Sequence, residues 1–318
     1  MKTIIDKSEY DFIGLLPCPI KVPVEISFNN MINNLKNVEN FKYLLEGNAN
    51  YEVMWMDESS HVPLKDELPK IIISSGINSF YRNDFRTTAL KEKYFKKVHN
   101  TNYEYIDSDF NDPEGNYYII SLNYLVMAVD LTKLKNRNIP KSWKELLNSS
   151  LKKEVAIRGK KGKYCETTLL GIYKEFGMEG IRKLKEIVGY GGHPAEMVKN
   201  MGKAVDNSPT VSILPYFYAN LLKNNKNIKL VWPEEGAIIS PITLLVQKDT
   251  SDELESIVNY FNDEEFRSIC KDAMLPHPVD YLKYLRDNNY RLNWVGWDFI
   301  KNNDINKLML KLNDFFKE

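Results

Sequence analysis

The chain has 318 residues, with 43 Lys+Arg against 43 Asp+Glu, 43% hydrophobic residues and 12% aromatic residues. Zero formal net charge argues against a protein that tracks nucleic-acid phosphates and against a polybasic membrane-surface protein, while leaving room for a local basic patch. No apolar run approaches the roughly 20 residues of a membrane span, so the chain reads as soluble, without direct membrane insertion, and its length predicts two lobes rather than one core.

Residues Met1 to Tyr10 are charged and polar where a secretory signal carries a basic start and an apolar stretch, so nothing in them reads as directing export. Three cysteines, Cys18, Cys165 and Cys270, form no Cys-x-x-Cys pair and indicate neither a disulfide framework nor a zinc site. The unusual count is 19 Tyr against 4 His, with packing the reading for most of the tyrosines and ligand contact for a few.

Apolar runs bounded by turn residues alternate with amphipathic stretches along the whole chain, which is the α/β pattern. Asp11–Leu16 reads as a buried strand ending at Pro17-Cys18-Pro19, followed by helical spacing from Pro23 to Leu45 (Met31, Ile32, Leu35). Tyr51–Met56 reads as a second strand and the β-branched Lys70–Ser74 as a third, followed by Ser75-Gly76 and a polar helical stretch to Lys97. Tyr117–Val129 is a longer strand, and Ser142 with Glu145 has the spacing of a capping box. The grammar then restarts. Glu154–Arg158 is a strand, residues 159–168 are a loop, and two helices follow, the first closed by Gly177 and the second spanning Ile181–Val188. Thr210–Leu214 is a strand, Pro215 opens a helix, and Ile228–Trp232 is a strand. Pro241 interrupts Ala237–Gln247, which predicts an edge, bend or crossing segment rather than an unbroken central strand. Helices return at Asp252–Phe261 and Ile305–Phe316; Trp294, Trp297, Phe315 and Phe316 read as packing across a lobe.

In open α/β sheets, ligands bind beyond the carboxyl ends of the strands. That rule selects Cys18, the Ser74-Ser75-Gly76 turn, Thr167 and Thr168, and the Pro215-Tyr216-Phe217-Tyr218 segment. Ser74 and Ser75 read either as a plain turn or as an oxyanion seat, and Thr167 and Thr168 as a helix start able to bind an oxyanion. Gly159-Lys160-Lys161-Gly162-Lys163 lacks the spacing and the hydroxyl residue of a phosphate loop. Cys18 reads as a small buried thiol or as a nucleophile in a rigid extended loop. Tyr216 and Tyr218 are hard oxygen donors suited to ferric iron, although residues i and i+2 face apart on a helix; the alternative is one packed and one exposed tyrosine. His193, in a Gly-rich turn, is a further contact or an exposed loop residue, and His61, His99 and His277 are too scattered to draw a zinc cluster.

The succession Pro140-Lys141-Ser142-Trp143-Lys144-Glu145-Leu146-Leu147, then Glu154–Arg158, resembles the crossing segment and strand of solute-binding proteins of ABC transporters, closest to the type 2 periplasmic-binding fold in its ferric-iron-like branch. Thr210 to Tyr218 stands where that branch often carries a tyrosine pair. Trp232 to Ala237 with Ser240-Pro241 resembles its next strand pair, and Leu254–Phe266 its closing helix. The ferric-binding members have adjacent tyrosines plus His and Glu from the first lobe, whereas here Phe217 separates the pair and the first lobe offers Cys18, Ser74 and Ser75.

The resemblance implies two doubly wound α/β lobes joined by a hinge, with a ligand cleft between them: residues 1–125 plus about 245–318, and residues 126–244. It implies a binding protein, not an enzyme, that needs no cofactor, closes on a small molecule or ion (a metal ion, oxyanion or organic acid) and delivers it to an ABC permease. The expected site is Cys18, Ser74, Ser75, Thr167, Thr168, His193, Tyr216 and Tyr218. Extracytoplasmic location follows if the chain acts in transport. The rival readings are an intracellular ligand sensor and a cysteine-dependent enzyme on the same fold.

Overall fold

A computed structural model describes residues 9–35, 40–48, 62–98, 108–160, 163–203, 208–280, 287 and 289–317. In chain order the elements start with β1 (Phe12–Leu16), α1 (Cys18–Asn34), β2 (Tyr43–Gly47), β3 (Ile71–Ser75), α2 (Asn83–Lys91) and β4 (Tyr118–Asp130). The middle of the chain carries α3 (Leu131–Leu134), α4 (Trp143–Leu147), β5 (Val155–Lys160), β6 (Lys163–Tyr164), α5 (Glu166–Ile187), β7 (Val188–Gly192), α6 (Pro194–Asn200), β8 (Val211–Pro215), α7 (Tyr216–Asn220) and β9 (Ile228–Val231). The chain ends with β10 (Ala237–Val246), α8 (Glu255–Tyr260), α9 (Glu264–Asp272), β11 (Leu292–Asn293), α10 (Trp297–Asn302) and α11 (Ile305–Lys317).

These elements divide into two compact units. Unit 1 comprises residues 1–122, 241–283 and 296–306, and unit 2 residues 123–240, 284–295 and 307–318. The change of unit falls inside β4 and inside β10.

In unit 1, β1 is parallel to both β2 and β3, and β3 is antiparallel to β10. The sequence pattern predicts one helix from Pro23 to Leu45. The helix instead starts at Cys18, and Leu44 and Leu45 lie in β2 opposite Ile13 and Gly14. Pro17 and Pro19 preset the backbone of the first helical turn, where missing N–H groups leave no hydrogen bond unmade. Pro23, one turn further in, is tolerated while Ile20, Val24 and Phe28 are driven into the core. The strand expected at residues 51–56 lies outside the described residues. The polar stretch expected to be helical to Lys97 is helical only to Lys91, after which Phe95 forms an antiparallel bridge with Gln247.

The core of this unit is aromatic. Phe12, Phe28, Phe261 and Phe266 are fully buried and meet edge-on, tilted or, for Phe28 and Phe261, stacked, at centroid separations of 5.2–5.8 Å. Each is worth roughly 1.5–3 kcal/mol of burial. A second cluster stacks Tyr81 on Trp297, with Tyr117 beside both.

Unit 2 places β8 between β4 (antiparallel) and β5 (parallel), with β7 parallel to β5 and β9 antiparallel to β4. Trp143 is fully buried, and its indole N–H donates to the Gly236 carbonyl at 2.8 Å. The predicted cap is present in one half: Ser142 Oγ accepts from Glu145 N–H, while the Glu145 carboxylate reaches Lys141 N–H. Glu235 satisfies the two remaining first-turn donors, Trp143 and Lys144. Gly177 has φ +59°, and this left-handed residue breaks α5 into the two predicted helices. Gly171 faces the sheet, where an added Cβ would come within 2.8 Å of Ile238, so α5 docks on β10 through a missing side chain.

Pro241 does not interrupt β10, which runs unbroken from Ala237 to Val246. Pairing with β3 begins at Ile242, so the proline nitrogen is not asked to donate to that ladder, and the Pro241 carbonyl accepts from Gly76 N–H at 2.7 Å. The change of unit nevertheless falls at this residue.

Candidate functional site

The parallel strands of unit 1 end side by side. With Gly14 opposite Ile73, the ends of β1 and β3 bring Leu15 and Leu16 beside Ser74 and Ser75. Ser75 Oγ donates to the Leu15 carbonyl at 3.0 Å, which uses that hydroxyl as a brace. Ser74 is 2% exposed and its Oγ has no hydrogen-bond partner among the described residues, an unusual state for a buried hydroxyl. Cys18 is neither buried nor in an extended loop: it is exposed in the first turn of α1, and no described group is hydrogen-bonded to its thiol. Cys270 is the buried thiol of this unit, pushed up to about 12 by burial.

In unit 2 the carboxyl ends of β5, β7 and β8 lead to the other candidates. Thr167 and Thr168 lie in the first turn of α5, both buried; the Thr167 hydroxyl is 3.5 Å from Ser240 Oγ. His193 caps α6, its Nδ1 accepting from Ala195 N–H at 3.3 Å. Its ring meets Tyr218 edge-to-face at 6.0 Å. Burial holds the imidazole below its ordinary pKa, the Arg158 guanidinium pushes it the same way, and Glu196 pulls it upward.

The two tyrosines of α7 part company. Tyr216 packs with Tyr124 at 5.1 Å and Trp232 at 5.8 Å, whereas Tyr218 packs with Phe217 at 4.3 Å and with His193. The spacing i, i+2 on a helix separates them, as the geometry of 3.6 residues per turn requires. The described residues also contain no group of three or more His, Cys, Asp or Glu able to hold a metal ion. Tyr216 and Tyr218 therefore do not converge on one point within unit 2. Residues 159–160 pair with 163–164 in a hairpin, so this segment is not a phosphate loop.

The structure thus brings Ser74, Ser75 and Cys18 together at the strand ends of unit 1. In unit 2 it brings His193 to Tyr218 and Thr167 to Ser240, and leaves Tyr216 in a separate aromatic cluster. Sequence reasoning missed Arg158, at the carboxyl end of β5. The available signal is compositional: Arg158, Lys160, Lys161 and Lys163 occur within six residues that contain no acid.

Residues 66–303 match the model of the bacterial extracellular solute-binding protein family. The chain belongs to that family. A two-component system protein that mediates signal transduction superposes with TM-score 0.67 at 11% identity, covering 95% of this chain and 99% of its own. The Bordetella ferric binding protein gives 0.63 at 12% identity, covering 96% and 98%. The substrate-binding protein of an ABC transporter from Agrobacterium tumefaciens gives 0.64 at 11% identity, covering 96% and 93%. At these identities the likeness establishes the fold, that of the two-lobed periplasmic binding proteins. No curated protein matches the chain in sequence. The solute-binding family is a family of binding proteins, and its name places its members outside the cytoplasm. Among the described residues no helix is long and apolar enough to cross a membrane.

Proposed function

We propose that this solute-binding protein takes up a small solute and hands it to an ABC permease outside the cytoplasmic membrane. The family match over most of the chain carries the reading. It is supported by strand ends in both units that present hydroxyl, phenol and imidazole groups instead of paired carboxylates or a nucleophile hydrogen-bonded to a base. The candidate contacts are Ser74, Ser75 and Cys18 within unit 1 and, separately, Thr167, Thr168, His193 and Tyr218 within unit 2. Tyr216, held among Tyr124 and Trp232, shapes the site through packing. Uptake shifts the population toward a conformer in which the solute makes contacts absent from the empty state.

The test is a thermal-shift and tryptophan-fluorescence screen of protein dialysed free of solute, using ferric ion, inorganic oxyanions, organic acids and sugars. A ligand at 100 times its dissociation constant adds about 2.7 kcal/mol to the native state, which reads as a rise of several degrees in melting temperature. At least one solute is expected to produce that rise, and uptake of the same solute should fail in cells lacking the protein. A silent screen ends the receptor reading.

A further inference from the structure

Arg158 is a charged side chain near the unit 2 candidates that the reading above leaves without a task. It stands near the carboxyl end of β5, in register with Gly192, the last residue of β7, and His193 follows at once as the N-cap of α6. In a parallel pair, registered residues share a sheet face. Gly192 contributes no side chain there; an added Cβ would meet only Met197 and Glu196, both at 3.6 Å or more. The guanidinium is exposed and engages in no hydrogen bond or ion pair with any described residue.

The other arginines of unit 2 with a structural purpose are tied down. Arg137 makes a bidentate pair with Glu154, and Arg182 bonds Glu179 and Glu186. An arginine left open among the described residues at the end of a parallel strand, close enough to His193 to act on its charge, has the fork of donors that suits a carboxylate or phosphate. Lys160 lies two residues further along β5, on the same face and also exposed, and reinforces the sign of the local field in a chain whose total charge is zero.

We propose that Arg158 anchors an oxyanion group, carboxylate or phosphate, of the solute, with His193 and Tyr218 as its hydrogen-bonding neighbours. This rests on the solute-receptor reading and gives it a substrate class. The nearby charge of opposite sign, Glu196, sits one turn into α6 and acts on His193.

The experiment titrates solute-free protein with citrate, inorganic phosphate and glucose by isothermal calorimetry, for the wild type, Arg158→Gln, Arg158→Lys and Lys160→Gln. Binding of citrate or phosphate is expected, and which of the two binds tells carboxylate from phosphate. Arg158→Gln should weaken it at least tenfold, Arg158→Lys less, and Lys160→Gln less than threefold. Circular dichroism and melting temperature show that each variant folds, and an exposed position makes folding failure a poor explanation of lost binding. Unchanged oxyanion affinity in Arg158→Gln overturns the proposal, as does binding of glucose alone. In either case the receptor reading stands. Silence from all three probes overturns the oxyanion anchor, and the receptor reading falls with it only if the wider solute screen is silent too.

Discussion

His193 and His277 make a natural comparison, because the two units use the same dipeptide for different ends. Each histidine precedes a proline, each stands just before a helical segment, and each Nδ1 accepts a backbone N–H two residues on, at 3.3 Å. His277 in unit 1 is fully buried, packed near Tyr118 and the Arg267–Asp280 pair. His193 in unit 2 is half-buried at the end of a strand, near an unpaired arginine. The local motif specifies a cap and nothing more. Burial decides whether the ring's proton affinity is tied to folding or is left available to a solute.

The largest expected effect tests that division at His277. Burial, with a smaller push from Arg267, lowers its pKa to about 4. The unfolded ring titrates near 6.5, so between about pH 6.5 and 4 the unfolded chain binds a proton that the native state refuses. Stability is therefore full above about pH 6.5, falls as pH drops, and levels off below about 4, with a total loss of about 3 kcal/mol. Urea unfolding from pH 7 to 4 reads this directly. In His277→Asn, which keeps a capping side chain, the slope should shrink by the His277 contribution, leaving the smaller part that His193, also held low by burial, supplies. Asp112 and Asp263, whose carboxyls burial pushes upward, act in the opposite sense and are common to both proteins, so the difference isolates His277. An unchanged slope in the variant would show that this histidine is not coupled to folding.

A smaller effect calibrates what a cap alone is worth here. Ser142 Oγ accepts from Glu145 N–H at 3.0 Å without a titratable group. Ser142→Ala should cost about 1 kcal/mol by urea denaturation, independent of pH between 4 and 7. A pH-dependent loss would mean that capping, rather than imidazole burial, sets the acid response attributed to His277.

Much of this architecture is legible in the sequence because several of its strands are short, largely apolar runs with turn residues at their ends. Phe12–Leu16, Ile71–Ser75 and Val211–Pro215 are all of that kind. β2 is not legible in this way, because its strand identity comes from pairing with β1, a contact invisible to a local pattern that carries helical spacing onward from Met31. Pro241 misleads for a related reason: whether a missing N–H matters depends on where the partner strand starts. At the site, the strand-end rule selects Ser74, Ser75, Thr167 and Thr168 but cannot tell which hydroxyls are braced, as Ser75 is, and which lack a partner among the described residues, as Ser74 does. Arg158 escapes because a charged residue at the end of a strand pattern reads as its polar boundary.

The most delicate expectation returns to His193. If its proton is available to the solute, oxyanion affinity should rise as pH falls below the ordinary imidazole range, because a protonated ring adds a second positive charge beside Arg158. The groups facing it are Arg158 from β5, Glu196 from α6 and Tyr218 from α7; Arg158 opposes protonation, and a bound anion relieves that opposition. Binding and proton uptake are thus linked, and a few-fold gain between pH 7 and 5.5 is expected with citrate or phosphate as probe, after allowing for the probe's own ionisation. His193→Gln should bind at pH 7 nearly as the wild type does and lose the gain at pH 5.5. Its urea stability should lose only the smaller share of the acid profile that His193 supplies, since the His277 titration is intact. Should His193→Gln instead flatten the stability profile and leave the pH dependence of binding in place, the two histidines would have exchanged the roles that their burial assigns them.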